Sequence, residues 1–410
     1  IRTDTPGQVN LAVLGAGQTM QFWDGGDTVA DGTVDGGTGT WQDFATNWTD
    51  SLGGTNGGWG SSVGVFAGSA GTVTVDGTQS FDTLQFKTDG YTLSSGTLTL
   101  APAAGTAGAL NIDNGVSTTI ASTIVDGTGN SLKKVGGGTL VLTGANTYTG
   151  GTQLLGGVLS VSSNANLGDV SGVLTFDGGV LQNTASFTST RNVTLNSGGG
   201  TFQSDLLTTL TMEGVISGGG SLTKTGDGTM ELSSSNSYGG GTTVSGGILA
   251  ASVTGALGAG SVAVSGSTGS PAQLHFTGSA NAGALAIDLA NVNSYLSLYD
   301  TASAGSATID SHIGRINFYD SSSAGTATIT SSGGLSFNAD STAADAKITN
   351  TGVLDFYANA KAGNAVIENG AGGVTSFHGN NTADGATIAN NAGGTVDISD
   401  LISGGIGIGS

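Results

Sequence analysis

The chain has 410 residues, of which 76 are glycine and only 3 proline, so it is not collagen, which needs a strict three-residue period and much proline. Charged residues are only 9% of the chain while apolar residues reach 37%, a balance that argues for a buried core and against disorder. Acidic residues outnumber basic ones 29 to 9, and a net charge of −20 repels phosphate backbones and anionic headgroups, which argues against nucleic acid and anionic lipid as partners.

Residues 1–60 are the least regular part. Val9 to Val13 and Met20 to Trp23 read as strands, followed by turn-rich acidic stretches, Asp24-Gly25-Gly26-Asp27 and Asp31 to Asp35. All four tryptophans, Trp23, Trp41, Trp48 and Trp59, fall here. They are read either as a candidate glycan platform, because indole faces stack on sugar rings, or as staples holding long turns against a core. Residues 61–290 alternate apolar and polar residues in short runs such as Thr72 to Val75, Leu84 to Phe86 and Thr97 to Leu100, a half-buried strand pattern.

Within that region Ser131 to Gly168 recurs without a gap at Ser221 to Gly258, ninety positions on. Leu132, Lys134, Gly136, Gly138, Asn146, Tyr148, Gly150 to Thr152 and Leu167-Gly168 match Leu222, Lys224, Gly226, Gly228, Asn236, Tyr238, Gly240 to Thr242 and Leu257-Gly258. Each copy reads as three short strands joined by glycine corners, and strands this short bury enough only when coils stack. A fixed internal period therefore predicts a solenoid, an all-β parallel β-helix, which is taken as right-handed.

From 291 to 410 the period shortens. Leu298, Phe318, Phe337, Phe356, Phe377 and Ile398 are spaced 20, 19, 19, 21 and 21 apart, and Ile309, Ile329, Ile348, Ile367 and Ile388 follow 20, 19, 19 and 21 apart. These registers predict two internal ladders and one coil per roughly 20 residues. Extended over the whole chain, that period gives about 20 coils at about 4.8 Å each, a rod on the order of 100 Å. Small pairs such as Ala304-Gly305 and Ala324-Gly325 are placed at the corners. Tyr299, Tyr319 and Tyr357 follow inward positions and so point outward; with Asp300 and Asp320 they form a candidate contact face, unless the rings merely stack from coil to coil.

The pattern L-x-K-x-G-x-G-T-L-x-L-x-G-x-N-x-Y-x-G-G-T, followed by G-G-x-L and L-G, resembles the passenger-associated transport repeat of bacterial autotransporters. The two copies span roughly a fifth of the chain. The second departs at Ser233, Ser234 and Gly239, all at one corner. The order W-D-G, G-T-W, N-W-T and G-G-W in residues 1–60 is similar to a segment that precedes such repeats. The resemblance implies a β-helical passenger exported across the outer membrane of a Gram-negative bacterium and exposed on the cell surface. Its repeats would aid secretion and folding, and its partners would be a host or bacterial receptor or glycan, in adhesion or biofilm contact. The absence of cysteine agrees, since no thiol forms a disulfide during passage. No signal peptide, apolar span of about 18 residues or terminal barrel-strand set is seen, so the chain reads as a passenger segment whose C-terminal barrel lies elsewhere.

Chemistry is sparse. His275, His312 and His378 lie in different coils, and neither a G-x-S-x-G elbow nor a glycine-aspartate-serine-glycine motif occurs; Gly168-Asp169-Val170-Ser171-Gly172 is interrupted by valine. The nine basic residues are scattered, unlike a polyuronate-cleaving groove. No tandem G-G-x-G-x-D nonapeptide and no phosphate-binding GK[ST] is present. No catalytic residue, cofactor or metal is expected, the acidic turns of residues 24–35 reading as solvated carboxylates. The expected function is a non-catalytic adhesive passenger. The alternatives are a surface fibre self-associating end to end through open β-edges and a glycan-processing β-helix.

Overall fold

The structure, a computed structural model, describes residues 18–60, 62–102, 107–127, 129–379, 381 and 383–401. The strand expected at Val9 to Val13 lies outside them. The described chain is almost entirely β, with one 3-10 turn at Asn164–Leu167. It winds as a parallel β-solenoid of about 16 turns averaging about 21 residues. The count of about 20 coils is therefore corrected downward. The short period after 291 does not hold in residues 18–60, where the chain is spent on turns.

Two compact units are distinguished, residues 1–159 with 165–169, and 160–164 with 170–410. In the first, each full coil contributes three strands to three parallel columns. One column runs through Met20–Trp23, Val63–Phe66, Thr83–Phe86, Gly108–Ile112, Leu132–Val135 and Thr152–Leu154. A second runs through Gly39–Trp41, Thr72–Val75, Thr92–Ser94, Ser117–Ile120 and Thr139–Leu142. The third stacks Thr78–Phe81, Thr97–Leu100 and Thr123–Asp126. Alternation decides what is buried: in Thr72–Val75 the valines are inside and the threonines outside. Because rungs stack in register, each inward residue meets its counterpart one coil on, as Leu84 meets Leu110. Only the lead-in breaks the rule, with Trp23 and Trp48 paired across antiparallel strands.

In the second unit one column stacks eleven rungs from Val180–Asn183 to Thr387–Asn390, and another eleven from Phe187–Ser189 to Thr395–Leu401. The predicted phenyl ladder is present: Phe318, Phe337, Phe356 and Phe377 stack with centroids 4.6, 5.0 and 4.9 Å apart and planes within 9°. Ile309, Ile329, Ile348 and Ile367 form the second buried ladder. Each such side chain contributes roughly 1.5–3 kcal/mol by burial. Ile398, expected to extend the phenyl ladder, is 39% exposed, and all of Thr395 to Asp400, on the last described rung of its column, is exposed with it. Two residues beyond each β-branched ladder position the interior turns polar. Asn350, Asn369 and Asn390 are linked Nδ2 to Oδ1 at 3.1 and 3.3 Å, and Asn350 and Asn369 also donate to carbonyls of Val374 and Thr395. At the corners Gly305 and Gly325 adopt φ of 62°, and their amides donate to the hydroxyls of Ser303 and Ser323.

Candidate functional site

The two sequence repeats build identical inter-coil staples. Period-two alternation from Leu132 sends Lys134 inward, where its neighbours along the ladder are Leu110 and Leu154. Lys224 occupies the same kind of position between Phe202 and Val244. Both lysines are fully buried. The Lys134 ammonium donates to the carbonyls of Val135, Gly136 and, one coil on, Gly156 at 2.9, 2.9 and 3.1 Å. Lys224 donates to those of Thr225, Gly226 and Gly246 at 2.6, 2.9 and 3.2 Å. Burial pulls both ammonium groups down to about 8, so they remain charged at neutral pH. Three carbonyl acceptors suit this state, since only the ammonium has three N–H groups. The glycine pairs make the room: a Cβ on Gly157, at φ 61°, would stand 2.3 Å from the Gly138 oxygen and 2.8 Å from Lys134 Nζ.

A second staple spans three coils. Asn146 Oδ1 accepts from the Ile124 amide of the coil before, and its Nδ2 donates to the Asn166 carbonyl of the coil after. Asn236 repeats this with Ile216 and Ala256. The adjacent tyrosines are buried with their hydroxyls on threonines, Tyr148 on Thr152 at 2.8 Å and Tyr238 on Thr242 at 2.7 Å. Burial pushes Tyr238 up to about 12. These invariant-looking positions of the repeat are thus internal fasteners. Sequence reasoning assigned the lysines to the repeat without finding that role; the signal available was their place on the same face as Leu132 and Leu222.

The outward face of the second unit carries the predicted tyrosines. Tyr299 and Tyr319 stack at 5.1 Å and 12°, His275 abuts Tyr299 edge-on at 5.2 Å, and Tyr357 stacks on His378 at 4.7 Å and 10°. The stripe is interrupted at one rung, where Asn338 stands between Tyr319 and Tyr357. Asp300 and Asp320 adopt φ of 55° and 53° at the turn that follows. Their carboxylates accept from the amides of Gly278 and Asp300, each one coil back. They brace the turn as well as lining the face.

The tryptophans divide differently. Trp23, Trp41 and Trp48 are fully buried in an edge-to-face cluster with Phe66. Trp59 is half-buried and donates through Nε1 to the Ser80 carbonyl at 2.8 Å. A glycan platform on Trp23, Trp41 and Trp48 is corrected accordingly: their faces are turned to one another, and the structure uses them to anchor the turn-rich lead-in. In the same region carboxylate oxygens of Asp27, Asp31 and Asp35 lie within 4.8 Å of one another. Two of these three are already engaged by the Thr33 hydroxyl, at 2.7 and 2.9 Å.

The three histidines remain apart. His275 contacts Gln273 Oε1 at 3.2 Å, and burial pulls it down to about 4. His312 faces Asp288 at 3.2 Å on the surface, and His378 sits between Asp355 and Asp400 at 3.3 and 3.1 Å. No helix among the described residues is long and apolar enough to cross a membrane.

The stacked parallel coils form a β-helix fastened by two copies of one motif, and the family model Passenger-associated-transport-repeat matches those two copies, at residues 132–161 and 222–251. The chain is similar, at 40% identity over 276 residues, to the adhesin BmaC autotransporter of Brucella suis biovar 1 (strain 1330). The alignment takes in 63% of this chain and 8% of that protein, so this chain corresponds to a small part of its relative's length. No solved structure matches.

Proposed function

We propose that this chain is a non-catalytic adhesive passenger segment, exposed on the surface of a Gram-negative cell after export across the outer membrane. The observation that carries it is the pair of transport repeats, each built into stacked β-solenoid coils, together with the 40% identity to a protein named an adhesin. In this reading the partner is a receptor or glycan on a host or bacterial surface. Contact is made by the outward Tyr299, Tyr319 and Tyr357 stripe with Asp300 and Asp320. Weak contacts of this kind gain strength through multivalency when many copies are displayed. The lysine and asparagine staples support a folding role for residues 131–168 and 221–258, since each closes one coil onto the next.

The test is display of the chain, fused to a heterologous outer-membrane barrel, on a non-adherent strain. Attachment to epithelial monolayers, matrix-coated plates and sister cells is counted against the barrel alone. Several-fold greater attachment is expected, falling toward the control when Tyr299, Tyr319 and Tyr357 are all changed to alanine. Verified display without increased attachment on any surface refutes the reading. Release of reducing sugar from neutral or acidic polysaccharides, abolished by a single Asp→Asn change, would establish the glycan-processing alternative instead.

A further inference from the structure

The interruption of the aromatic stripe at Asn338 is a gap of defined size. Register places Phe318, Phe337 and Phe356 on successive rungs, so the residues after them, Tyr319, Asn338 and Tyr357, are also successive and outward. The phenyl ladder directly beneath steps 4.6 and then 5.0 Å. Tyr319 and Tyr357 are therefore two stacking distances apart, with one ring missing between them. Every filled step of this structure's ladders, including Tyr299 on Tyr319 at 5.1 Å, shows that a planar group fits such a step. Asn338 carries no ring to fill it: its Nδ2 donates to the Phe318 carbonyl one coil back and to Ser336 Oγ on its own strand. Tyr357, the far wall, is 40% exposed.

The surroundings select the occupant. Asp320, Asp340 and Asp355 lie within two residues of Tyr319, Asn338 and Tyr357, and one oxygen of each is held by a neighbour, the Asp300 amide, Asn359 Nδ2 and His378 Nε2 respectively. The cation on the Tyr319 strand, Arg315, lies four residues away at its other end. Tyrosine faces carry the negative side of the ring quadrupole, and the chain as a whole carries −20. A flat cation meets both requirements. We propose that the Asn338 rung is a slot for the guanidinium of an arginine presented by a basic partner chain, sandwiched between Tyr319 and Tyr357 and paired with the neighbouring carboxylates. The slot rests on the contact face proposed above and names the chemistry that face would take.

Binding of fluorescent hexa-arginine to the purified chain, followed by polarisation, tests this. Hexa-citrulline, planar but neutral, and hexalysine, charged but not planar, are the comparison probes. Asn338→Tyr supplies the missing ring and blocks the slot; it is expected to weaken hexa-arginine binding at least tenfold while keeping circular dichroism and unfolding midpoint at the parent's values or above. Asn338→Ala, which leaves the slot open, is expected to bind within about twofold of the parent. Hexa-citrulline is expected not to bind and hexalysine to bind several-fold more weakly. Unchanged hexa-arginine binding by Asn338→Tyr, equal binding of hexalysine, or no hexa-arginine binding by the parent overturns the slot. None of these results decides the adhesive reading, which fails separately if the displayed parent chain gives no more attachment than the barrel alone.

Discussion

Replacing Lys134 by methionine keeps the buried stem and removes the ammonium from the three carbonyls it holds at 2.9, 2.9 and 3.1 Å. A hydrogen bond to a charged group contributes about 1.5–3 kcal/mol net, and three would exceed 4 kcal/mol if they simply added. They do not add, because the variant also escapes the several kcal/mol of desolvation that a buried ion carries. The balance is a local loss of about 2–4 kcal/mol, set by carbonyls of Val135, Gly136 and Gly156 left without this donor. Solenoids unfold coil by coil, so a whole-chain midpoint would dilute the effect. Amide hydrogen exchange resolves it. Leu132–Val135 and Thr152–Leu154, the strands joined by the clamp, are expected to exchange roughly 30- to 700-fold faster, at 1.4 kcal/mol per factor of ten. Lys224→Met should do the same to Leu222–Thr225 and Thr242–Val244. Exchange within twofold of the parent, or slower, would refute the clamp and show that a leucine-ladder position prefers an apolar side chain here.

Three further outcomes follow from the same geometry. Both lysines titrate at about 8 in the fold and near 10.4 unfolded, so below pH 8 both states are protonated, and between pH 8 and 10.4 the unfolded chain binds more protons; stability should rise with pH across that window, and the rise should shrink in the Lys134→Met/Lys224→Met double variant when urea midpoints are compared. Asn369 donates to Asn390 Oδ1 and the Thr395 carbonyl and accepts from Asn350 and Thr375 Oγ1, so Asn369→Ala should cost about 2–4 kcal/mol, seen as faster exchange in Lys347–Asn350 and Val374–Gly379. Gly157→Ala, at φ 61° with its new Cβ 2.3 Å from the Gly138 oxygen, should cost at least about 1–2 kcal/mol from the backbone alone, measured by urea unfolding, whereas the open Gly115→Ala should cost only the backbone share.

The ladders were legible because they repeat. Leu298, Phe318, Phe337, Phe356 and Phe377 recur at nearly constant spacing, and stacking in register is the physical meaning of that spacing. Lys134 was harder to read because charge ordinarily means surface, and only its parity with Leu132 opposed that reading. The tryptophans offered no parity at all. Among turns such as Asp24-Gly25-Gly26, an indole that anchors a loop and one that waits for a sugar look alike, and only the edge-to-face cluster with Phe66 separates them. Asp300 and Asp320 show a third limit: they lie where expected, but their carboxylates were also bonded one coil back, a contact that depends on a left-handed turn no spacing reveals.

That left-handed turn recurs at Gly278, Asp300, Asp320, Ala339, Ala358 and Gly379, one per rung, with three different residue types holding the same backbone shape. The conformation is enforced from neighbouring rungs and not by the identity of the residue that adopts it. A whole rung is then an interchangeable part. DNA encoding one rung can be duplicated or lost between flanking copies without breaking the rungs on either side, so genes of this kind are free to drift in repeat number while each surviving protein still folds.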